Sequence, residues 1–149
     1  MTKKSLITIL LLLTTVLFSA NAQKADYQKA DSQRVMSLFR KAKGQPHAMG
    51  SYMVFFGRQL LGVPYVAKTL EKNKSEQLIV NLRQLDCTTY VETVLALSRC
   101  MMQGKPTFSN YCTQLRLIRY AKGVVSYPTR QHYFTYWIKQ NVSDGIVKD

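Results

Sequence analysis

The stretch from Cys87 to Gln103 constrains this chain more than any other, because its apolar residues leave almost no polar face. Tyr90, Val91, Val94, Leu95, Leu97 and Met101 cover most of the circumference of a helix, and a helix that is apolar nearly all round must be buried on most sides. Asp86 stands where an N-cap belongs, and Gly104 with Pro106 ends the segment. The expectation is one central buried helix with the rest of the chain wrapped around it.

The neighbouring segments supply the wrapping. From Ala25 to Ala42 a polar stretch carrying Val35, Met36, Leu38 and Phe39 suits an amphipathic helix that ends near Gly44 and acts as a packing arm. Met49, Tyr52, Met53, Phe56 and Leu60 repeat at helical spacing and predict a core helix from Met49 to Leu61, stopped by Gly62-Val63-Pro64. Leu78 to Leu82 is short and rich in branched residues, a strand or an extended lead-in. Leu115 to Tyr120, a turn at Ala121-Lys122-Gly123 and Val124 to Tyr127 predict a hairpin, and a last amphipathic segment spans Gln131 to Gln140.

At the N-terminus, Lys3 and Lys4 precede an apolar run from Leu6 to Phe18, broken only by Thr8, Thr14 and Thr15 and followed by Ser19-Ala20-Asn21-Ala22. This is the pattern of a secretory signal peptide over residues 1–22, cleaved before Gln23. The run is too short for a membrane span, and no cysteine near the cleavage point offers a thiol for a lipid. A periplasmic product without a stable membrane anchor is expected, with residues 23–149 long enough for one modest core and therefore one domain.

The formal net charge is +13, of which Lys3 and Lys4 take two with the signal peptide. So basic a chain favours anionic partners. Export argues against nucleic acid, and the bases are scattered, the longest grouping being Arg40, Lys41 and Lys43. Either the surface is simply solvated, or it is drawn to the carboxylates of peptidoglycan stem peptides or to anionic outer-membrane surfaces.

Cys87 opens the predicted central helix directly after its capping aspartate, where backbone N–H groups and the positive end of the dipole favour a thiolate. A nucleophilic cysteine needs that setting, although a cysteine beginning an apolar helix also serves as a small buried hydrophobe. Three cysteines in an oxidising compartment leave at least one without an intrachain partner. Cys87 and Cys100 lie about 20 Å apart on one helix and cannot pair. Cys100 and Cys112 flank a Gly/Pro turn and are the pair open to a disulfide, so Cys87 is the expected free thiol.

Gly62-Val63-Pro64-Tyr65, and then Asp86-Cys87-Thr88-Thr89-Tyr90-Val91-Glu92 opening a helix, resemble the NlpC-type cysteine peptidases and amidases. The longer run from Asn81 to Leu97, together with Tyr127-Pro128-Thr129-Arg130-Gln131-His132-Tyr133-Phe134 and Trp137-Ile138, is similar to the N-acetylmuramoyl-L-alanine amidase-like branch of Bacteroides-type and other Gram-negative bacteria. The resemblance runs from about Gly57 to Asp149. It implies an α+β, papain-like fold and a reaction in which a cysteine cuts the amide between the sugar lactyl group and the first stem-peptide residue. Carried over, it makes Cys87 the nucleophile, Tyr65 a neighbour that orients it or stabilises the oxyanion, and Asp86 the helix cap. N–H groups of the helix start are the natural oxyanion donors.

A cysteine nucleophile also needs a base, usually histidine. The resemblance places that histidine later, in an Asp-x-x-His-Val-Gly strand, and no such segment occurs here. It therefore implies a helical half carrying the nucleophile, with most of the β-barrel half missing and an apolar face left exposed. Of the two histidines, His47 is expected at the surface. His132, beside Arg130, Tyr133 and Tyr136, is expected in the substrate cleft with Arg130 and Tyr133 rather than as the base. Glu92 is either solvated or paired with an arginine. No His, Cys, Asp or Glu cluster has ligand spacing, so no metal or other cofactor is implied. The expected partner is peptidoglycan or a muropeptide, bound by an amidase or by a degenerate cell-wall-binding module; a protein that binds anionic surfaces through charge alone is the third reading.

Overall fold

The computed structural model describes residues 25–148, so the signal-peptide segment lies outside the described residues. The fold is mostly helical with a small sheet. Strand β1 (Asp26–Tyr27) leads into helix α1 (Lys29–Lys41) and helix α2 (Met49–Gln59). Strand β2 (Ile79–Val80) precedes helix α3 (Cys87–Met102), followed by α4 (Phe108–Arg119), two short 3-10 turns (Ala121–Gly123 and Tyr127–Thr129) and α5 (Phe134–Ser143). β1 and β2 pair in parallel, Asp26 opposite Ile79 and Tyr27 opposite Val80.

Helix α3 is the centre, as its apolar circumference requires. Every residue from Glu92 to Ser98 is buried, and the helix packs chiefly between α2 and α4, with α1 closing the remaining side. The close approach of α2 is made at Gly57, where a Cβ would come within 2.9 Å of the Tyr90 hydroxyl on α3. Tyr52, Phe56 and Leu60 are the buried residues of the α2 segment, and Val35, Leu38 and Phe39 those of the packing arm α1 with Asp31. The arm starts later than Ala25 because Asp26 and Tyr27 are drawn into the sheet, with Asp26 N–H donating to the Leu78 carbonyl at 2.9 Å.

One expectation fails. Leu115 to Arg119 is not the first strand of a hairpin but the end of α4, and residues 124–127 form no strand with it. The alternation around Leu115-Arg116-Leu117 suggests a period of two, yet Tyr111, Leu115 and Ile118 are all buried, which is the spacing of a helical face. Thr107 fixes the start of that helix by accepting from Asn110 N–H at 3.1 Å. What survives of the hairpin is a single antiparallel bridge between Tyr120 and Arg130. Cys100 and Cys112, the pair left open to a disulfide, are both free thiols.

A buried carboxylate that the sequence reading passed over ties the arm to the segment entering α3. Asp31 is fully buried and accepts from Gln28 N–H (3.0 Å), Leu82 N–H (2.9 Å) and Arg83 Nε (3.2 Å). Among the described residues no helix is long and apolar enough to cross a membrane.

Candidate active site

The start of α3 is held by a reciprocal cap. Asp86 Oδ1 accepts from Thr89 N–H and from Thr89 Oγ1–H, both at 2.8 Å, while Asp86 N–H donates to Thr89 Oγ1 at 2.9 Å. The first N–H groups of any helix lack intrahelical partners. Here Asp86 satisfies that of Thr89 and leaves the first turn, with Cys87, facing outward. Cys87 is exposed, and its Sγ has Thr88 Oγ1 as its hydrogen-bond partner at 4.0 Å. Asp86→Ala is expected to cost about 1 kcal/mol of stability, read as a lower urea midpoint at unchanged slope.

The other two thiols differ in kind. Burial pushes the Cys100 thiol up to about 12 and that of Cys112 up to about 11, so both stay protonated and shielded at neutral pH. Iodoacetamide at pH 8 is therefore expected to label the folded protein once, at Cys87. Peptide mapping after a short pulse checks this, and comparable labelling of Cys100 would contradict it.

Tyr65 reaches the neighbourhood of Cys87 through the backbone. The Gly62–Tyr65 turn runs into a parallel bridge between Tyr65 and Leu85, with Leu85 N–H donating to the Pro64 carbonyl and Val66 N–H to the Leu85 carbonyl, each at 3.1 Å. Leu85 is two residues before Cys87, so the pairing sets Tyr65, 71% exposed, beside the entrance to α3.

A cavity of about 150 Å³ opens beside the same helix start. It is lined by Asp86, Thr88 and Thr89 from the helix start, by Glu92 and Arg119, by Arg130, Gln131 and His132, and by Leu70 and Glu71. The structure thus brings Asp86, Arg130 and His132 to one cavity. Tyr133 is 77% exposed and is not among the lining residues.

Arg130 lines this cavity with its charge already engaged. Its side chain is buried, Nη2 pairs with Glu71 at 2.5 Å, and Nη1 donates to the Leu70 carbonyl at 3.2 Å and lies 3.6 Å from Glu76. His132 is exposed and its Nε2 lies 2.9 Å from the Tyr127 carbonyl, with the two rings 4.5 Å apart. A carbonyl oxygen only accepts, so Nε2 carries a proton in this contact. His47 is exposed and faces the Tyr52 hydroxyl at 3.5 Å.

Beneath the cavity, Glu92 takes the paired alternative. Its Oε2 accepts from Arg119 Nε at 2.7 Å, and Arg119 Nη1 donates to the Ile79 carbonyl at 2.7 Å, joining α3, α4 and β2 in one buried contact. Burial pushes the Glu92 carboxyl above the usual carboxylate range against the pull of Arg119. Sequence reasoning missed Arg119, Glu71 and Gln131. Only the basic residues near the end of a helix hinted at the first, and no local signal marked the others.

The chain matches the AmiA-like family model, described as N-acetylmuramoyl-L-alanine amidase-like, over residues 55–149. No curated protein matches it. Among solved structures, an N-acetylmuramoyl-L-alanine amidase from Bacteroides uniformis is 38% identical, with 65% of this chain and 41% of that one covered and a TM-score of 0.60. A Bacteroides fragilis protein described as a proposed xylanase is 37% identical, covering 63% and 41%, with a TM-score of 0.59. A Legionella pneumophila protein at 21% identity shares the fold over 78% of this chain and 38% of its own, with a TM-score of 0.67. The chain spans about two fifths of the length of these structures.

Proposed function

This chain belongs to the AmiA-like, N-acetylmuramoyl-L-alanine amidase-like family, and from that premise we propose that it carries the nucleophile half of an exported cysteine amidase of peptidoglycan turnover. The observation that carries this reading is the exposed Cys87 at the first position of a capped, sixteen-residue central helix. In it, Cys87 Sγ attacks the carbonyl carbon of the amide joining muramic acid to L-alanine. The first-turn N–H groups of α3 receive the oxyanion, with Tyr65 beside them. The C–N bond breaks, the stem peptide leaves as the protonated amine, and water hydrolyses the thioester to regenerate the thiol.

His132 belongs to the cleft wall with Arg130, and the proton is handled by a histidine of the later strand that the NlpC-type resemblance implies. The test is incubation with purified muropeptides, reading released stem peptide by mass spectrometry. Release only after a relative's downstream segment is appended is the expected result. Release by the chain alone makes His132 the base, and release in neither form sinks the amidase reading.

A second reading, a cell-wall-binding module without turnover, is favoured by one contact: the partner of Cys87 Sγ is Thr88 and not an imidazole. Co-sedimentation with intact peptidoglycan and no release in any form would support it. Glycoside hydrolysis has less support. It needs two carboxylates facing one bond, whereas Glu92 is locked to Arg119 and Asp86 to Thr89.

A further inference from the structure

The cavity beside α3 has a feature that the nucleophile does not use. Arg130 and Gln131, adjacent in sequence and each 5% exposed, both line it, and each keeps a buried N–H donor without a partner: Arg130 Nε and Gln131 Nε2. Gln131 Oε1 is fixed by Asn141 Nδ2 at 3.1 Å, which commits one side of its amide and leaves the N–H₂ on the other. A buried donor without an acceptor costs about 1–3 kcal/mol, so this wall is built to meet one. The N-terminal turn of α3 lines the same cavity through Asp86, Thr88 and Thr89.

The charge of the lining says what kind of acceptor fits. Glu71, Asp86 and Glu92 set three carboxylates against the guanidiniums of Arg119 and Arg130, and each of the two guanidiniums is already paired. An anion would enter against a surplus of negative charge, whereas a neutral carbonyl oxygen meets the donors without that penalty. We propose that this cavity is a subsite for a neutral amide carbonyl of the substrate, read by Gln131 Nε2 and Arg130 Nε and placed next to the reacting bond. The proposal rests on the amidase reading for the identity of the substrate. A muropeptide offers such a group from two sources, the acetamido substituent of the sugar and the amides of the stem peptide.

The test follows the side-chain amide resonances of Gln131 in the nitrogen-15-labelled, otherwise unaltered chain during titration with N-acetylmuramoyl-L-alanyl-D-isoglutamine. A saturable shift of the Gln131 N–H₂ pair is expected, with no such shift on adding sodium acetate. Repeating the titration with the de-N-acetylated ligand identifies the source: loss of the shift assigns the acetamido group, and its persistence assigns a peptide amide. Gln131→Glu keeps an acceptor for Asn141 while removing the donor, and is expected to weaken the ligand about tenfold. Its thermal melt separates that loss from unfolding, and the wild-type titration stands whatever the variant does. A Gln131 pair that stays still at saturation of the protein, or that moves with acetate instead, overturns the subsite. Turnover with Gln131 unmoved leaves the amidase reading intact, whereas a Gln131 shift without turnover in any form removes that reading and keeps the subsite.

Discussion

Replacing Cys87 with alanine is expected to lower stem-peptide release by about a million-fold, the scale on which triad-type hydrolases lose turnover when the nucleophile is removed. The loss is this large because nothing nearby can replace the thiol. Thr88, whose hydroxyl is the Sγ partner, is a far weaker nucleophile, and the two other cysteines are shielded in the core or between helices. The measurement is made on whichever form of the protein releases peptide, this chain or the chain with the downstream segment. The same substitution should shift stability by no more than about 0.5 kcal/mol, since the side chain is exposed and the cap belongs to Asp86 and Thr89. Retention of a tenth of the activity in the alanine variant would remove Cys87 from the chemistry.

The largest effect on folding is expected at the pair beneath the cleft. Arg119→Met leaves the Glu92 carboxylate buried without its guanidinium and is expected to cost about 3–5 kcal/mol. A domain of this size has a total stability of about 5–15 kcal/mol, so the variant is expected to be partly unfolded at 37 °C. The substitution also frees the Ile79 carbonyl, which Arg119 holds at the edge of the small sheet. Combining it with Glu92→Leu should restore most of the loss, because the desolvated charges disappear together and an apolar contact replaces them. Urea unfolding of the two single variants and the double variant checks this as a cycle. Single losses below about 1 kcal/mol would mean that water reaches the pair, contrary to its burial.

These two predictions draw on different levels of information. The setting of Cys87 was legible in the sequence because everything that makes it distinctive is local: a capping aspartate before it, a threonine three residues after the cap, and an apolar helix behind. Local hydrogen bonds of that kind form wherever the helix forms. Arg119 was not legible, because its partner lies 27 residues away on another helix and nothing in its neighbours distinguishes it from the exposed bases of so basic a chain. Arg130 is a mixed case. The motif around it pointed to the cleft, and it does line the cavity, but only the fold shows that its charge is taken by Glu71 and Glu76, which are distant in sequence.

The hairpin error has the same origin. Leu115-Arg116-Leu117-Ile118-Arg119-Tyr120 fits a period of two over a few residues and a helical period over a longer window, and a short apolar run cannot separate the two. Packing decides, since α3 needs an apolar surface along its flank and Tyr111, Leu115 and Ile118 supply it only as a helix. By itself the sequence determined the central helix, its cap and the family, because these depend on neighbours within a few turns and on a contiguous motif. The tertiary structure alone decided the buried pair of Glu92 and Arg119, the seating of Asp31 under the approach to α3, and the cavity with its two unpaired donors. Each of those depends on polar groups far apart in the chain that must satisfy one another once water is excluded.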